Sequence, residues 1–365
     1  MSAQRIGRLM PLKDLLARVA ALAQPVAPVD VRLDKALYRV AAEDVVARQR
    51  PTTTVASRDG YAVSSDATAD ASSYAPVPLA GACVIETGEP LPAGTDAVLP
   101  DDAVDTAGAG VQALAMAARG DGTLPAGIDA GPDQPIRIAG TLLRQFNIAA
   151  LAATGVAVVK VRTPRVRIVA ARKDPVLREV VSLLAGLVVS AGGEVTNIGD
   201  APLDAVLRER GARLIIIVGG SGSGARDRSV SALAEAGRVE AHGIGLIPGE
   251  TAALGAVEDR PVLIVPGRLD AALAVWVTVG EAMLRALTGQ AQAAPAVPAT
   301  LARKITSTIG MVEVVPVRLQ QSQATPLASG YWPLQAQAIA DGYVVVPAES
   351  EGFAEGAAVA VRMVV

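Results

Sequence analysis

Leu214-Ile215-Ile216-Ile217-Val218 is an unbroken apolar run of strand length, and Gly219-Gly220-Ser221-Gly222-Ser223-Gly224 follows it directly. A strand that is apolar at every position has no face for water. It must be covered on both sides, which is the condition of a parallel sheet held between helices. The neighbouring pattern agrees: 166–170 reads as a strand, 176–191 as a helix, 194–198 as a strand, 204–210 as a helix, 262–265 as a strand and 270–287 as a helix. Strand and helix in alternation predict a doubly wound, mainly parallel sheet over 163–290. The glycine loop after the central strand lets successive N–H groups point outward beside a helix N-terminus, which suits an anion. Loops of this composition are also common as plain tight turns.

A chain of 365 residues exceeds one ordinary core, and the remainder divides accordingly. Leu12, Leu15, Leu16, Val19 and Leu22 lie on one face of a helix opened by Pro11 and ended by Pro25 and Pro28, and 31–46 carries a second helical pattern. Residues 51–135 are short β-prone runs punctuated by Pro, Gly, Asp and Thr, predicting a small β-rich domain. A helix at 148–155 and a strand at 156–161 follow. An Ala/Pro/Gln linker at 291–298 leads to 299–365, whose period-two strands predict a small β-barrel-like domain.

Several functions are disfavoured by composition. Aromatics are 2% of residues, leaving few platforms for stacking bases, and a net charge of -3 with no basic block argues against nucleic acid. Cys83 is the only cysteine, which excludes an intramolecular disulfide and a cysteine-based zinc site; it reads as a small buried hydrophobe beside Val84 and Ile85. The uninterrupted apolar runs are shorter than a membrane span, and 1–5 carry no apolar leader pattern, so a cytoplasmic location without membrane contact is expected. His242 is the only histidine and cannot form a histidine-based metal site; a structural role is the plainer reading. The 220–224 loop is not the G-x-S-x-G nucleophile elbow of a hydrolase.

Two further stretches carry more information. One is Ser57-Arg58-Asp59-Gly60-Tyr61-Ala62-Val63. The other is Glu86-Thr87-Gly88-Glu89-Pro90-Leu91-Pro92-Ala93-Gly94-Thr95-Asp96-Ala97-Val98. They resemble the S-x-x-D-G-Y-A and T-G-x-x-x-P-x-G-x-D-A-V motifs of the MoeA/gephyrin E-domain family. The glycine loop resembles that family's G-G-x-S-x-G-x-x-D, matched by Gly219, Gly220, Gly224 and Asp227, with Gly222 in the serine position between Ser221 and Ser223. The helix and strand at 148–161 resemble the family's return to its first domain, so 1–50 with 136–162 resemble its discontinuous α/β N-terminal domain.

The resemblance implies molybdenum cofactor biosynthesis: insertion of molybdate into adenylylated molybdopterin with release of AMP, aided by Mg²⁺ or a similar divalent cation. Molybdopterin and molybdate would be the substrates, and the anionic pterin the principal partner. It also implies a homodimer whose site joins the doubly wound domain of one subunit to the β-rich domain of the other, and transient contact with molybdoenzymes or other cofactor-synthesis proteins. Asp59 and Asp227 would then hold the cation, since hard cations favour carboxylate oxygens, and Thr87 would donate to an oxyanion. Without the resemblance, Asp59 reads as a turn residue before Gly60 and Asp227 as a helix cap.

The chain also departs from the family. Where the family has K-P-G-K-P, this sequence has Ile247-Pro248-Gly249-Glu250-Thr251, and P-G-N-P-V-S-A is replaced by Pro266-Gly267-Arg268-Leu269-Asp270-Ala271-Ala272. The T-G-x-E segment reads Ala171-Arg172-Lys173-Asp174, and the G-E-D segment before Ile148 is missing. Two lysines are lost while Arg172, Lys173 and Arg268 are gained. Gly219, Gly220, Ser221, Ser223, Gly224, Asp174, Pro248, Gly249, Pro266, Gly267 and Arg268 are the expected ligand-binding positions. The alternative function is a non-catalytic carrier or scaffold that holds molybdopterin or the cofactor without turnover.

Overall fold

A computed structural model describes residues 4–108, 110–199, 202–291 and 296–364. The chain forms two compact units: Met1–Glu43, Ala139–Arg144 and Val159–Val365 make one, and Asp44–Ile138 with Gln145–Val158 makes the other.

The larger unit opens with helix α1 (Leu12–Leu22), which buries Leu12, Leu15 and Val19 as its spacing predicts. The second helical pattern does not form a helix. Residues 29–41 instead make a strand at Val29–Arg32, a single 3₁₀ turn at Leu33–Lys35 and a short strand at Val40–Ala41. Both strands pair with Val158–Arg162 in one sheet, and this long-range pairing overrides the local periodicity.

The doubly wound domain comprises β1 (Arg165–Ala170), α2 (Pro175–Ser190), β2 (Glu194–Gly199), α3 (Leu203–Arg208), β3 (Leu214–Val218), α4 (Ser229–Ala236), β4 (Arg238–His242), β5 (Ala253–Val257), β6 (Arg260–Val265) and α5 (Leu269–Thr288). Its sheet order is β2-β1-β3-β6-β5-β4. The first four strands are parallel, and β5 and β4 complete the edge antiparallel. The apolar run of β3 divides its side chains as expected. Leu214, Ile216 and Val218 enter one core with α1, α2 and α5, while Ile215 and Ile217 enter a second with Val206, Leu207 and Leu233.

The 20-residue helix α5 is long and apolar enough to cross a membrane by length and composition. Counting uninterrupted apolar runs misses it, because Thr278, Glu281 and Arg285 interrupt its sequence. Two thirds of it is buried, and Trp276, Met283, Leu284 and Leu287 pack in the core under β1 and β3. The folded domain therefore consumes this apolar surface.

Of the expected linker, 292–295 lie outside the described residues, and a strand already begins at Ala296. Strands β7 (Ala296–Leu301), β8 (Val312–Gln320), β9 (Gln323–Pro326), β10 (Gly342–Val346) and β11 (Ala358–Met363) close in the order β8-β9-β7-β11-β10 and back to β8. This is a five-stranded barrel around Leu301, Val315, Val317, Val344, Val346 and Val361.

The smaller unit holds the sheet Cys83–Ile85, Gly60–Val63, Ala97–Leu99 and a second small sheet of Val77–Pro78, Gly110–Ala113 and Val104–Gly108. Cys83 is half-buried rather than buried, and Val84 is 71% exposed.

Candidate functional site

In the doubly wound sheet the chain moves from β1 outward to β2, then returns across β1 to β3. The strand order therefore reverses between β1 and β3, and ligands of such sheets bind outside the carboxyl ends of the strands at that switch point. The loops after β1, β3 and β6 all emerge there. They lie close: a methyl group on Gly220 would stand 3.2 Å from the Ala171 Cβ, and one on Gly219 would stand 3.8 Å from the Gly267 Cα.

The 219–224 loop has a definite hydrogen-bond polarity. The Gly219 carbonyl accepts from Ser229 Oγ at 2.8 Å, and the Gly220 carbonyl from Ser229 N at 3.0 Å and Gln4 Nε2 at 2.8 Å. Gly222 O accepts from Gln4 Nε2 at 2.6 Å, and His242 Nε2 lies 2.8 Å from Ser221 O. The amides of Gly219 and Gly224 are taken by Val265 O and by Asp227 Oδ2. The four N–H groups from 220 to 223 donate to nothing among the described residues. Gly219 and Gly220 reach this shape with φ of 88° and 69°, and a side chain on Gly220 would collide with Ser229 Oγ at 2.4 Å. Successive outward amides with their carbonyls tied back form an anion-binding concavity.

Asp227 is not the cap of α4, whose N-cap is Arg228 without a side-chain cap bond. Its Oδ2 instead accepts the Gly224 amide at 3.1 Å and crosses the loop, so that a methyl on Gly222 would meet it at 2.7 Å. Ser221 is 2% exposed and its hydroxyl faces Thr251 Oγ1 at 3.0 Å, so it supports the loop from within. Ser223 is exposed.

In the smaller unit, Thr87 donates both its amide and its hydroxyl to Asp59 Oδ1, each at 2.7 Å. The hydroxyl first, then the amide, holds the Asp59 carboxyl below the usual carboxylate range. Gly60, with φ of 149°, lets the chain pass Leu99, because a methyl there would lie 2.1 Å from the Leu99 carbonyl oxygen. The structure thus brings Asp59 and Thr87 together, on exposed loops at the ends of Gly60–Val63 and Cys83–Ile85. Asp227 belongs to the other compact unit. Among the described residues no three His, Cys, Asp or Glu side chains gather as a metal cage.

Comparison with known proteins agrees with this architecture. Residues 10–155 match the model of the MoeA N-terminal region (domains I and II), 168–286 a probable molybdopterin binding domain and 298–363 the MoeA C-terminal region (domain IV). The chain belongs to the MoeA family. It is 26% identical over 331 residues to molybdopterin molybdenumtransferase 1 of Mycobacterium tuberculosis, covering 75% of this chain and 77% of that protein. A Methanocaldococcus jannaschii protein named for molybdopterin biosynthesis is 24% identical over 364 residues, 90% of each chain. A crystal structure of a molybdopterin biosynthesis MoeA protein from Pyrococcus horikoshii superposes with a TM-score of 0.74 at 26% identity, covering 98% of this chain and 99% of that one.

Against that family frame, the departures have a structural explanation. Arg268 does not stand free as a replacement for the lost lysines. Its Nε and Nη2 donate to Asp270 at 3.1 and 2.7 Å, and its guanidinium stacks 5.1 Å from the centre of the Tyr331 ring. Asp270, with a smaller contribution from Glu250, keeps Arg268 firmly protonated. Asp270 is 1% exposed and also accepts from Trp332 N. Arg172 is likewise paired with Asp174 at 3.4 Å.

Asp174 itself is the N-cap of α2, accepting from Val176 and Leu177, and the Leu177 and Val176 amides lower its pKa before Arg172 does. The position expected to contact ligand is thus also a helix cap. Lys173 is exposed and forms no ion pair among the described residues. A methyl group added to Gly249 would stand 2.9 Å from Val275 Cγ2 and one on Gly267 2.7 Å from Leu177 Cδ2, and Pro248 and Pro266 are buried beside them.

Sequence reasoning missed Gln4, Thr251 and Tyr331. Gln4 and Tyr331 lie in no family motif, Thr251 stands at the end of the segment that departs from K-P-G-K-P, and only the fold carries 4, 220, 222 and 231 into one place. His242 takes the structural role expected for it, against the glycine loop. An open cleft of about 580 Å³ lies elsewhere, in the C-terminal module between Lys304 and Ile309 on one side and Glu351 and Phe353 on the other.

Proposed function

We propose that this protein inserts molybdate into adenylylated molybdopterin and releases AMP, as a molybdopterin molybdenumtransferase. The observation that supports this most directly is the Asp59–Thr87 contact, in which two separate family motifs meet as an oriented, ionised carboxylate and a hydroxyl. The glycine loop supplies outward amides for a phosphate group, and Lys173 a nearby cation. Asp59 and Asp227 would hold a divalent cation of the Mg²⁺ type together with substrate oxygens, since such ions use one or two carboxylates and leave the rest to phosphates and water. Held by these carboxylates, such a cation would supply charge neutralisation for the substrate phosphates. Asp59 presents a fixed carboxylate edge, Thr87 orients it, and Asp227 holds the loop closed at Gly224.

The working form is a homodimer in the cytoplasm, as the family resemblance implies. A light-scattering mass equal to one 37.0 kDa chain at micromolar concentration would contradict the dimer. The deciding experiment for the activity is incubation with adenylylated molybdopterin, Mg²⁺ and molybdate. AMP release with activation of an apo-molybdoenzyme is expected. Tight molybdopterin binding without AMP release would identify the carrier function instead.

A further inference from the structure

We infer that Gln4 is a positioning residue for the anion-receiving loop, with His242 as its second support. This rests on the loop's role in the function proposed above, and it concerns residues outside every family motif. The backbone of 219–224 can present its amides in one direction only if its carbonyls are held in the other. Gln4 accomplishes this with one side chain. Its Nε2 donates to both Gly220 O (2.8 Å) and Gly222 O (2.6 Å), and its Oε1 faces Ser231 N (3.3 Å) and Ser231 Oγ (3.4 Å). The loop and the first turn of α4 are thereby joined through a single amide group. The orientation of that amide is self-consistent, with the nitrogen against two acceptors and the oxygen against donors.

His242 fixes the carbonyl between these two. Its Nε2 lies 2.8 Å from Ser221 O, so that nitrogen carries the proton. The strand bearing it, β4, is tied in turn to the segment that bears Gln4. Met10 N donates to Gly243 O at 3.0 Å, and Gly245 N donates to Met10 O at 2.8 Å. Ile6 and Leu9 pack over Gly243, where a methyl would meet Ile6 Cγ2 at 2.4 Å. Residues 4–10 therefore form a strap lying behind the loop. Without it, the Gly222 carbonyl loses its donor and is free to turn toward the anion, which replaces attraction by repulsion, while the Gly220 carbonyl keeps only the Ser229 amide among the described residues.

Gln4→Glu tests this with little change in shape. It keeps the oxygen that faces Ser231 and turns the donating group into a second oxygen against two carbonyls. The probe is inorganic pyrophosphate, titrated calorimetrically, so that the loop is read independently of any molybdenum chemistry. Wild-type protein is expected to bind pyrophosphate, and Gln4→Glu to bind it roughly tenfold or more weakly. His242→Phe should weaken it in the same direction, and His242→Gln, which restores an N–H donor, should recover part of the loss.

A second readout separates positioning from general damage. The preference for molybdopterin over phosphatase-treated, dephosphorylated molybdopterin should fall in Gln4→Glu, while the thermal midpoint stays near that of the wild type. A loss of fold would lower both affinities together. Pyrophosphate affinity unchanged in Gln4→Glu, or no binding to the wild type, overturns the inference. Binding by the wild type without AMP release overturns the enzymatic proposal and leaves this inference standing.

Discussion

In the smaller unit a motif carboxylate meets a motif hydroxyl, whereas in the doubly wound domain the new arginines meet carboxylates two residues further along. Asp59 accepts two bonds from Thr87, so its negative charge is oriented but not cancelled. Arg172 is paired with Asp174, and Arg268 with Asp270. Counting charges along the sequence suggests that three gained cations replace two lost ones. The structure shows that two of the three are already neutralised locally, and that Glu250 adds a further negative charge near Arg268. A residue gained in a loop supplies charge to a ligand only if its own loop leaves that charge unpaired.

The largest expected effect comes from breaking the intact half of this comparison. Asp59→Asn preserves shape and the bond from Thr87 while removing the charge. AMP release should fall about hundredfold or more, the scale of losing a charged group that acts on the reacting phosphate. Molybdopterin affinity and the unfolding midpoint should change little. Because Thr87 holds the carboxyl ionised, wild-type activity should not decline through Asp59 until pH falls below the usual carboxylate range. Equal AMP release by Asp59→Asn and wild type would reduce Asp59 to a turn residue.

The altered half can be sharpened by restoring its cations. Ile247→Lys combined with Glu250→Lys removes the charge that opposes phosphate and adds two that attract it. Each charge-assisted contact contributes roughly 1.5–3 kcal/mol, so two should tighten molybdopterin binding about hundredfold or more. Ile247 and Glu250 are both half-buried, which keeps screening by solvent modest. Unchanged or weaker binding, measured by equilibrium dialysis, would show a pocket rebuilt around a different anion.

Arg268→Ala tests the neutralised cation. Had Arg268 served the ligand, its removal would chiefly abolish anion binding. Held as it is, removal strands the nearly inaccessible Asp270 carboxylate, leaving only the Trp332 amide as partner among the described residues. The expected result is a loss of about 2–3 kcal/mol in unfolding free energy with a smaller change in affinity. The added substitution Asp270→Asn should recover part of that stability. A stable Arg268→Ala protein that no longer binds molybdopterin would refute the pairing argument and return Arg268 to the ligand.

The fold was legible wherever periodicity and burial coincide. The β3 run, the α2 pattern and the α1 stripe all formed, because apolar side chains at those spacings have no other low-energy placement. The 31–46 segment failed for the opposite reason. Leu33, Leu37 and Val40 match a helical period by chance, and pairing with Val158–Arg162, far along the chain, decides the structure. Strands β4 and β5 and helix α4 were not legible because they are short, of 5, 5 and 8 residues, and small residues such as Ala232, Ala253 and Gly255 leave little apolar pattern. In the site, motif residues were legible and their supports were not. Gln4 and Tyr331 act through contacts whose partners lie 216 and 63 residues away by number, and no local signal marks such contacts.

The smallest expected effect concerns a carboxylate that follows neither pattern. Glu281, on α5, makes no ion pair among the described residues, although Arg285 and Arg362 are close enough to act on its charge. Burial dominates and pushes its pKa up to about 6, and the same neighbourhood raises that of Tyr343 on the barrel strand β10. A carboxyl raised in the folded state binds its proton more tightly there than in the unfolded chain. It therefore costs no stability in acid, begins to cost as pH rises past about 4.5, and reaches its full cost above about 6. That full cost is about 2 kcal/mol. Glu281→Gln should accordingly raise the denaturation midpoint at pH 7.5 and leave it nearly unchanged at pH 4. A gain of equal size at both pH values would point to packing rather than charge. No gain at pH 7.5 would mean that Arg285 and Arg362 already compensate Glu281, placing it with Arg268 among the locally neutralised groups.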